Sequence, residues 1–244
     1  MKKSSLTEGN IGKALLFFVL PIIAGSLIQQ LYTTVDAVIV GQFTGKMGLA
    51  AIDSVYTLFK FPINFMNGLA AGATIIISGY FGAKEREGLH CAVRTALLVA
   101  FFLGIICSIG GVLLSPWLLD VMSVPEEVQG RSLIYCRIYF AGLWAMILYN
   151  MMAGILRAFG DSKRPLYVLI ICAVANVVGD FLLVGVLHTG VGGAAAATVF
   201  SQAVSVAVLW VMLTKADFLE GTLVLSRMTI CKEHMGICLL YTSP

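Results

Sequence analysis

The chain has 244 residues, of which 59% are hydrophobic and only 12% charged, with a formal net charge of +3. Globular domains carry roughly 25% charged residues, so most of this chain has lipid rather than water as its solvent. So small a charge, placed in short flanks between apolar runs, excludes a nucleic-acid binder. The six cysteines contain no CxxC pair, and their spacing suits neither a zinc site nor a secreted disulfide framework; they read as small apolar fillers.

Apolar stretches of spanning length run at residues 14–40, 49–81, 95–119, 133–156, 165–187 and 194–213. They are continuously apolar rather than alternating, so the expected fold class is all-α: a polytopic membrane protein with a bundle of six transmembrane helices. The first stretch follows Lys2 and Lys3 but continues without a small-x-small cleavage site, so it reads as a retained helix rather than a signal peptide. Turn chemistry separates the runs, at 41–48, 82–88, Pro125, 160–165 and 190–193. With a cytoplasmic N-terminus, twelve Lys and Arg fall inside and three outside, an asymmetry that puts both ends of this chain in the cytoplasm of a cell whose plasma membrane it crosses. Residues 1–213 therefore form one transmembrane unit. Residues 214–244 are too polar to span and read as an amphipathic cytoplasmic connector toward a further, missing half.

A charge near the bilayer centre costs about 2.5–3.5 kcal/mol on insertion scales, so each one needs a reason. In the first run Gly25, Gln29, Thr33 and Asp36 recur at three- and four-residue spacing, a polar stripe that should face the bundle interior. In the second, Lys60 shares a stripe with Asp53, Asn64 and Asn67; it reads equally as a cavity-lining group, a counter-ion for Asp36, or a donor to backbone carbonyls. Asn176 and Asp180 share a face of the fifth run, and Thr198, Ser201, Gln202 and Ser205 make a stripe on the sixth. By the helical rise, Asp36, Asp180 and Thr198 all lie about 6–11 Å below the outer boundary. Two carboxylates, a carboxamide and a hydroxyl at one depth suit a proton or Na⁺, since like charges in a low-dielectric site can share a proton and hard oxygens suit a small cation. The bland reading is a lone Asp that snorkels to the interface or pairs with a neighbour. Pro21 removes one hydrogen bond from the first helix and permits a hinge, although Pro is also common in membrane helices generally.

Four segments resemble the multidrug and toxic compound extrusion (MATE) transporters of bacterial type. They are Leu20-Pro21 with Thr33-Thr34-Val35-Asp36-Ala37-Val38-Ile39-Val40-Gly41, then Ile77-Ser78-Gly79-Tyr80-Phe81-Gly82-Ala83. Gly154-Ile155-Leu156-Arg157-Ala158-Phe159-Gly160-Asp161-Ser162-Lys163-Arg164-Pro165 is the most specific, followed by Asn176-Val177-Val178-Gly179-Asp180. The resemblance covers residues 10–213 and implies the N-terminal six-helix lobe of a twelve-helix fold. It implies an antiporter, not an enzyme, that exports cationic or amphipathic organic compounds by alternating access with Na⁺ or H⁺ as coupling ion and no other cofactor. It places Asp36, Asn176, Asp180 and Thr198 in the cation site, and Tyr135, Tyr139 and Asn150 around the same cavity as Gln29, Thr33, Lys60 and Asn64. The implied partners are the organic substrate, membrane lipid, and a second lobe or a dimer mate. Residues 239–244 depart from the family's continuation.

The alternative is a lipid-linked oligosaccharide flippase of the same superfamily, which should line its cavity with several Lys and Arg; this chain offers Lys60 and Arg137 against two deep acids. An intramembrane enzyme needs a catalytic constellation, yet His90, His188 and His234 all lie at span ends and no HExxH occurs. A passive channel differs only in lacking coupling.

Overall fold

The computed structural model describes residues 11–215; the connector at 216–244 lies outside them. Described residues form five long helices with no strands: α1 (Ile11–Ala83), α2 (Arg86–Val121), α3 (Glu126–Ala158), α4 (Lys163–Asp180), continued by a π-helical segment (Phe181–Val186), and α5 (Val191–Thr214). All five are long and apolar enough to cross a membrane.

The expected six helices are thus five continuous elements, because the runs at 14–40 and 49–81 join in one 73-residue helix. A straight helix of that length would reach about 110 Å, several times the bilayer core. It is broken at Gly45, whose φ of 69° and ψ of −171° leave the helical region. Only a residue without Cβ takes that conformation cheaply, so the single glycine replaces the loop expected over 41–48. The break makes a hairpin of two limbs, 11–44 and 46–83. Near the bend, Phe43 packs beside Gly185 after α4, Ala51 O accepts from Ser132 Oγ early in α3 at 2.9 Å, and Gly48 lies against Val191. At the opposite ends, Gly25 lies beside Leu166 and Leu169 of α4 while Thr74 lies beside Gly154 of α3. Both limbs therefore run the length of the bundle.

α3 is the central pillar, packed against α1, α2 and α5. Small residues allow the approach: a Cβ at Gly104 of α2 would stand 3.0 Å from the Trp144 Cα, and one at Gly142 would collide with Val199 of α5. Phe59, Leu143, Met152, Ile155, Leu156, Leu209 and Leu213 fill the core between them. The α3–α4 turn shows why its motif reads as it does. Gly160 at φ 79° ends α3 in the left-handed conformation, with Gly160 N donating to Arg157 O at 2.9 Å and Asp161 N to Leu156 O at 3.0 Å, the paired bonds of a Schellman ending. Asp161 Oδ1 then accepts from Lys163 N and Arg164 N, both at 3.1 Å, opening α4. Of the cysteines, Cys136 and Cys172 are buried free thiols and fit the filler reading, whereas Cys91 is disulfide-bonded and does not.

Candidate functional site

Asp180 is the last residue of α4, where the helix widens into the π segment; such segments recur at functional sites. It is fully buried, and Asn176, one turn earlier on the same face, is 1% exposed. The Asn176 Nδ2 donates to Thr198 Oγ1 of α5 at 3.3 Å, and Thr198 Oγ1 in turn donates to Ala194 O at 3.0 Å. From the first limb of α1, the half-buried Asp36 brings its carboxyl against that of Asp180. The four residues that the sequence singled out for a cation thus meet where α1, α4 and α5 converge. Asp36 lies nine residues before the Gly45 bend, Asp180 seven before Leu187 and Thr198 seven after Val191. Their depth is about 10–14 Å by helical rise; Asp36 and Thr198 lie deeper than expected because the first limb extends beyond Val40 and α5 begins at Val191.

The cluster is chemically incomplete. Among the described residues, Asp36 Oδ1, Asn176 Oδ1, both carboxylate oxygens of Asp180, and Gln202 Oε1 one turn beyond Thr198 are buried without a hydrogen-bond partner. An unmet buried acceptor costs about 1–3 kcal/mol, more when charged, so the four on Asp36, Asn176 and Asp180 are a strong bias toward a positive guest. Every orphan is an oxygen. Oxygen donors of this kind suit a hard cation or a proton.

Tyr135 and Tyr139 of α3 stand over this cluster, stacked with their centroids 5.9 Å apart, and Phe59 of the second limb packs 4.1 Å from Tyr139. The Tyr139 hydroxyl donates to Met146 Sδ at 3.6 Å. Gln29 and Asn150 instead line a separate cavity of about 130 Å³ closer to the α3–α4 turn, together with Pro21. The helix passes through Pro21 with helical backbone angles.

Thr33, Lys60 and Asn64 are all exposed, and none of them lines that small cavity. Thr33 is spent on its own helix, its Oγ1 donating to Gln29 O at 2.9 Å. Lys60 stacks its ammonium 4.8 Å over the Tyr56 ring, and among the described residues it makes no ion pair with Asp36. Phe59, Tyr32 and Arg157 were not singled out by their own chemistry. Tyr32 had a legible signal, one turn from Asp36; Phe59 is indistinguishable in sequence from any core aromatic.

A polytopic helical bundle with an acid-rich polar cluster buried between its helices is the build of a membrane transporter lobe. Residues 21–182 match the MatE family model, and the chain belongs to that family. It is 33% identical to the probable multidrug resistance protein YoeA of Bacillus subtilis over 86% of this chain and 46% of that protein. It is 30% identical to YpnP of the same organism, also a probable multidrug resistance protein, over 84% of this chain and 46% of that protein. A MOP superfamily transporter from Pyrococcus furiosus, noted for the reverse polarity of its binding pocket, superposes with a TM-score of 0.89 at 26% identity, over 99% of this chain and 53% of that one. The chain spans about half the length of these relatives.

Proposed function

We propose that this chain is the N-terminal half of a cation-coupled antiporter that exports cationic or amphipathic organic compounds across the plasma membrane, with its first and last described residues on the cytoplasmic side. The carrying observation is the set of unpartnered buried oxygens that Asp36, Asn176 and Asp180 bring together from α1 and α4. A proton or Na⁺ entering there neutralises the facing carboxyls and gives the orphan acceptors a partner. Since one carboxyl rides on the first limb of α1 and the other on α4, occupancy changes the preferred position of that limb. A cation that binds two arrangements with different affinity shifts their populations, and an organic substrate that prefers the other arrangement is coupled to it. The relatives' multidrug resistance names support the substrate class, and the Lys and Arg asymmetry supports the orientation. The rest of the cavity comes from a second lobe, or from a second copy of this one.

The test is efflux of a cationic dye from cells expressing the full-length protein. Asp36→Asn and Asp180→Asn should each abolish export while the protein still reaches the membrane. Undiminished efflux in both variants overturns the reading. Imposing a Na⁺ gradient or a pH gradient separately on vesicles identifies the coupling ion.

A further inference from the structure

The cavity of about 130 Å³ at the α3–α4 end is walled by the first limb of α1, by α3, by the start of α4 and by Gln202 of α5. Its polar lining is ordered along the bundle axis. Tyr32, Gln29 and Ser26 descend the first limb from the turn below Asp36, and Gln202 descends α5 from the turn below Thr198. Across from them, Asn150 leads along α3 to Arg157 in its last turn. The cavity thus begins one helical turn from the carboxylate cluster, at Tyr32 and Gln202, and ends at the turn joining α3 to α4.

Its size decides what it can hold. Drug-sized sites run roughly 300–1,000 Å³, while about 10–15 Å³ of such space accommodates a water, so the cavity takes several waters and no organic substrate. Gln202 is 6% exposed, and its Oε1 is buried without a partner, as a water-lined wall requires. Arg157 is half-buried, and its guanidinium turns back along α3 toward Gly154 instead of reaching out past the helix end. Among the described residues its guanidinium has neither hydrogen bond nor ion pair; the ionisable group it faces is Tyr149. A fixed positive charge with no counter-charge among the described residues, at the end of a hydrated passage, repels cations, as fixed Arg charges do in selective pores.

We propose that this cavity is a hydrated inner passage between the Asp36–Asp180 cluster and the cytoplasmic face, plugged at one end by Tyr32 and Gln202, and that Arg157 at its mouth is the electrostatic barrier that keeps the coupling cation from leaking through. The proposal rests on the cation-coupled reading of the cluster. Arg157 touches neither cation nor substrate; it determines which charge enters. When the first limb shifts, Ser26, Gln29 and Tyr32 move with it, so the passage opens on the same motion that changes occupancy of the cluster.

The experiment uses the full-length protein in liposomes with an imposed pH or Na⁺ gradient and no organic substrate, following dissipation of the gradient. Arg157→Gln should raise this substrate-free leak several-fold over the unmodified protein, Arg157→Lys should restore it to near the starting rate, and Asp36→Asn added to Arg157→Gln should abolish it. Independently, Ser26→Cys in inside-out vesicles should react with a membrane-impermeant thiol reagent above the background of the unsubstituted protein. A tight Arg157→Gln protein overturns the barrier, and an unreactive Ser26→Cys overturns the passage even if Arg157→Gln fails to fold. If Asp36→Asn still exports, the fault lies in the coupling assignment instead.

Discussion

The first limb of α1 and α3 are both long membrane helices, yet they are built for opposite purposes. In the most apolar stretch of α1 only 6% of residues are buried, against 61% for α3. α3 is gripped on both sides at glycine contacts, Gly104 with Trp144 and Gly142 with Val199, and its Ser132 bonds the far limb of α1. The first limb exposes Leu15, Leu16, Phe17, Leu20, Leu27, Leu31 and Val38 and is tied to the rest of the bundle by few packed residues, among them Gly25 and Asp36. Few buried contacts mean a low cost of displacement. The facing carboxyl pair therefore joins α4 to the limb with the fewest buried contacts, and in the proposed mechanism a cation between the two acids would set the position of that limb.

That contrast can be broken from the charged side first. Asp180→Asn should give the largest loss of export, about tenfold or more, since it removes a fully buried carboxylate whose charge is worth over 1.4 kcal/mol to the guest. Dye efflux measures it, and thermal stability should not fall, because the substitution removes a buried charge and replaces one orphan oxygen with an amide nitrogen. Gly142→Leu attacks the pillar instead. Its side chain would meet Val199, an overpacking cost of about 1–3 kcal/mol that should appear as a lowered melting temperature in detergent. Pro21→Ala should stabilise the first limb by restoring a helical N–H while slowing export several-fold; equal export with Ala would remove Pro21 from the mechanism. Lys60→Gln should have the smallest effect, within about 0.5 kcal/mol of stability, because its ammonium contacts only an exposed ring. A collapse of export in that variant would show that the exposed face of the second limb, and not just the cluster, handles charge.

The candidate site was largely legible because buried polar atoms in lipid are few, and helical periodicity tells which of them share a face. Asn176 with Asp180, and Thr198 with Gln202, needed only the four-residue repeat. What periodicity cannot give is which member of a stripe meets a neighbour: of Gln29, Thr33 and Asp36 only Asp36 is half-buried, while Asp53, Lys60 and Asn64 are all exposed. Arg157 illustrates the same gap. In sequence it is one more basic residue at a helix end, and only the packing of α1 and α4 around it makes it the wall of a cavity.

Composition and apolar run length determined that this chain is a helical membrane bundle, because lipid satisfies no backbone group and forces each crossing into a helix. Local chemistry determined the helix endings, as at Gly160 and Asp161. The tertiary structure decided the rest: that Gly45 alone turns one helix into two antiparallel limbs, that the acids of α1 and α4 face each other, and that Lys60 does not join them. Those are outcomes of packing between elements distant in sequence, where the angle at one glycine sets which side chains meet.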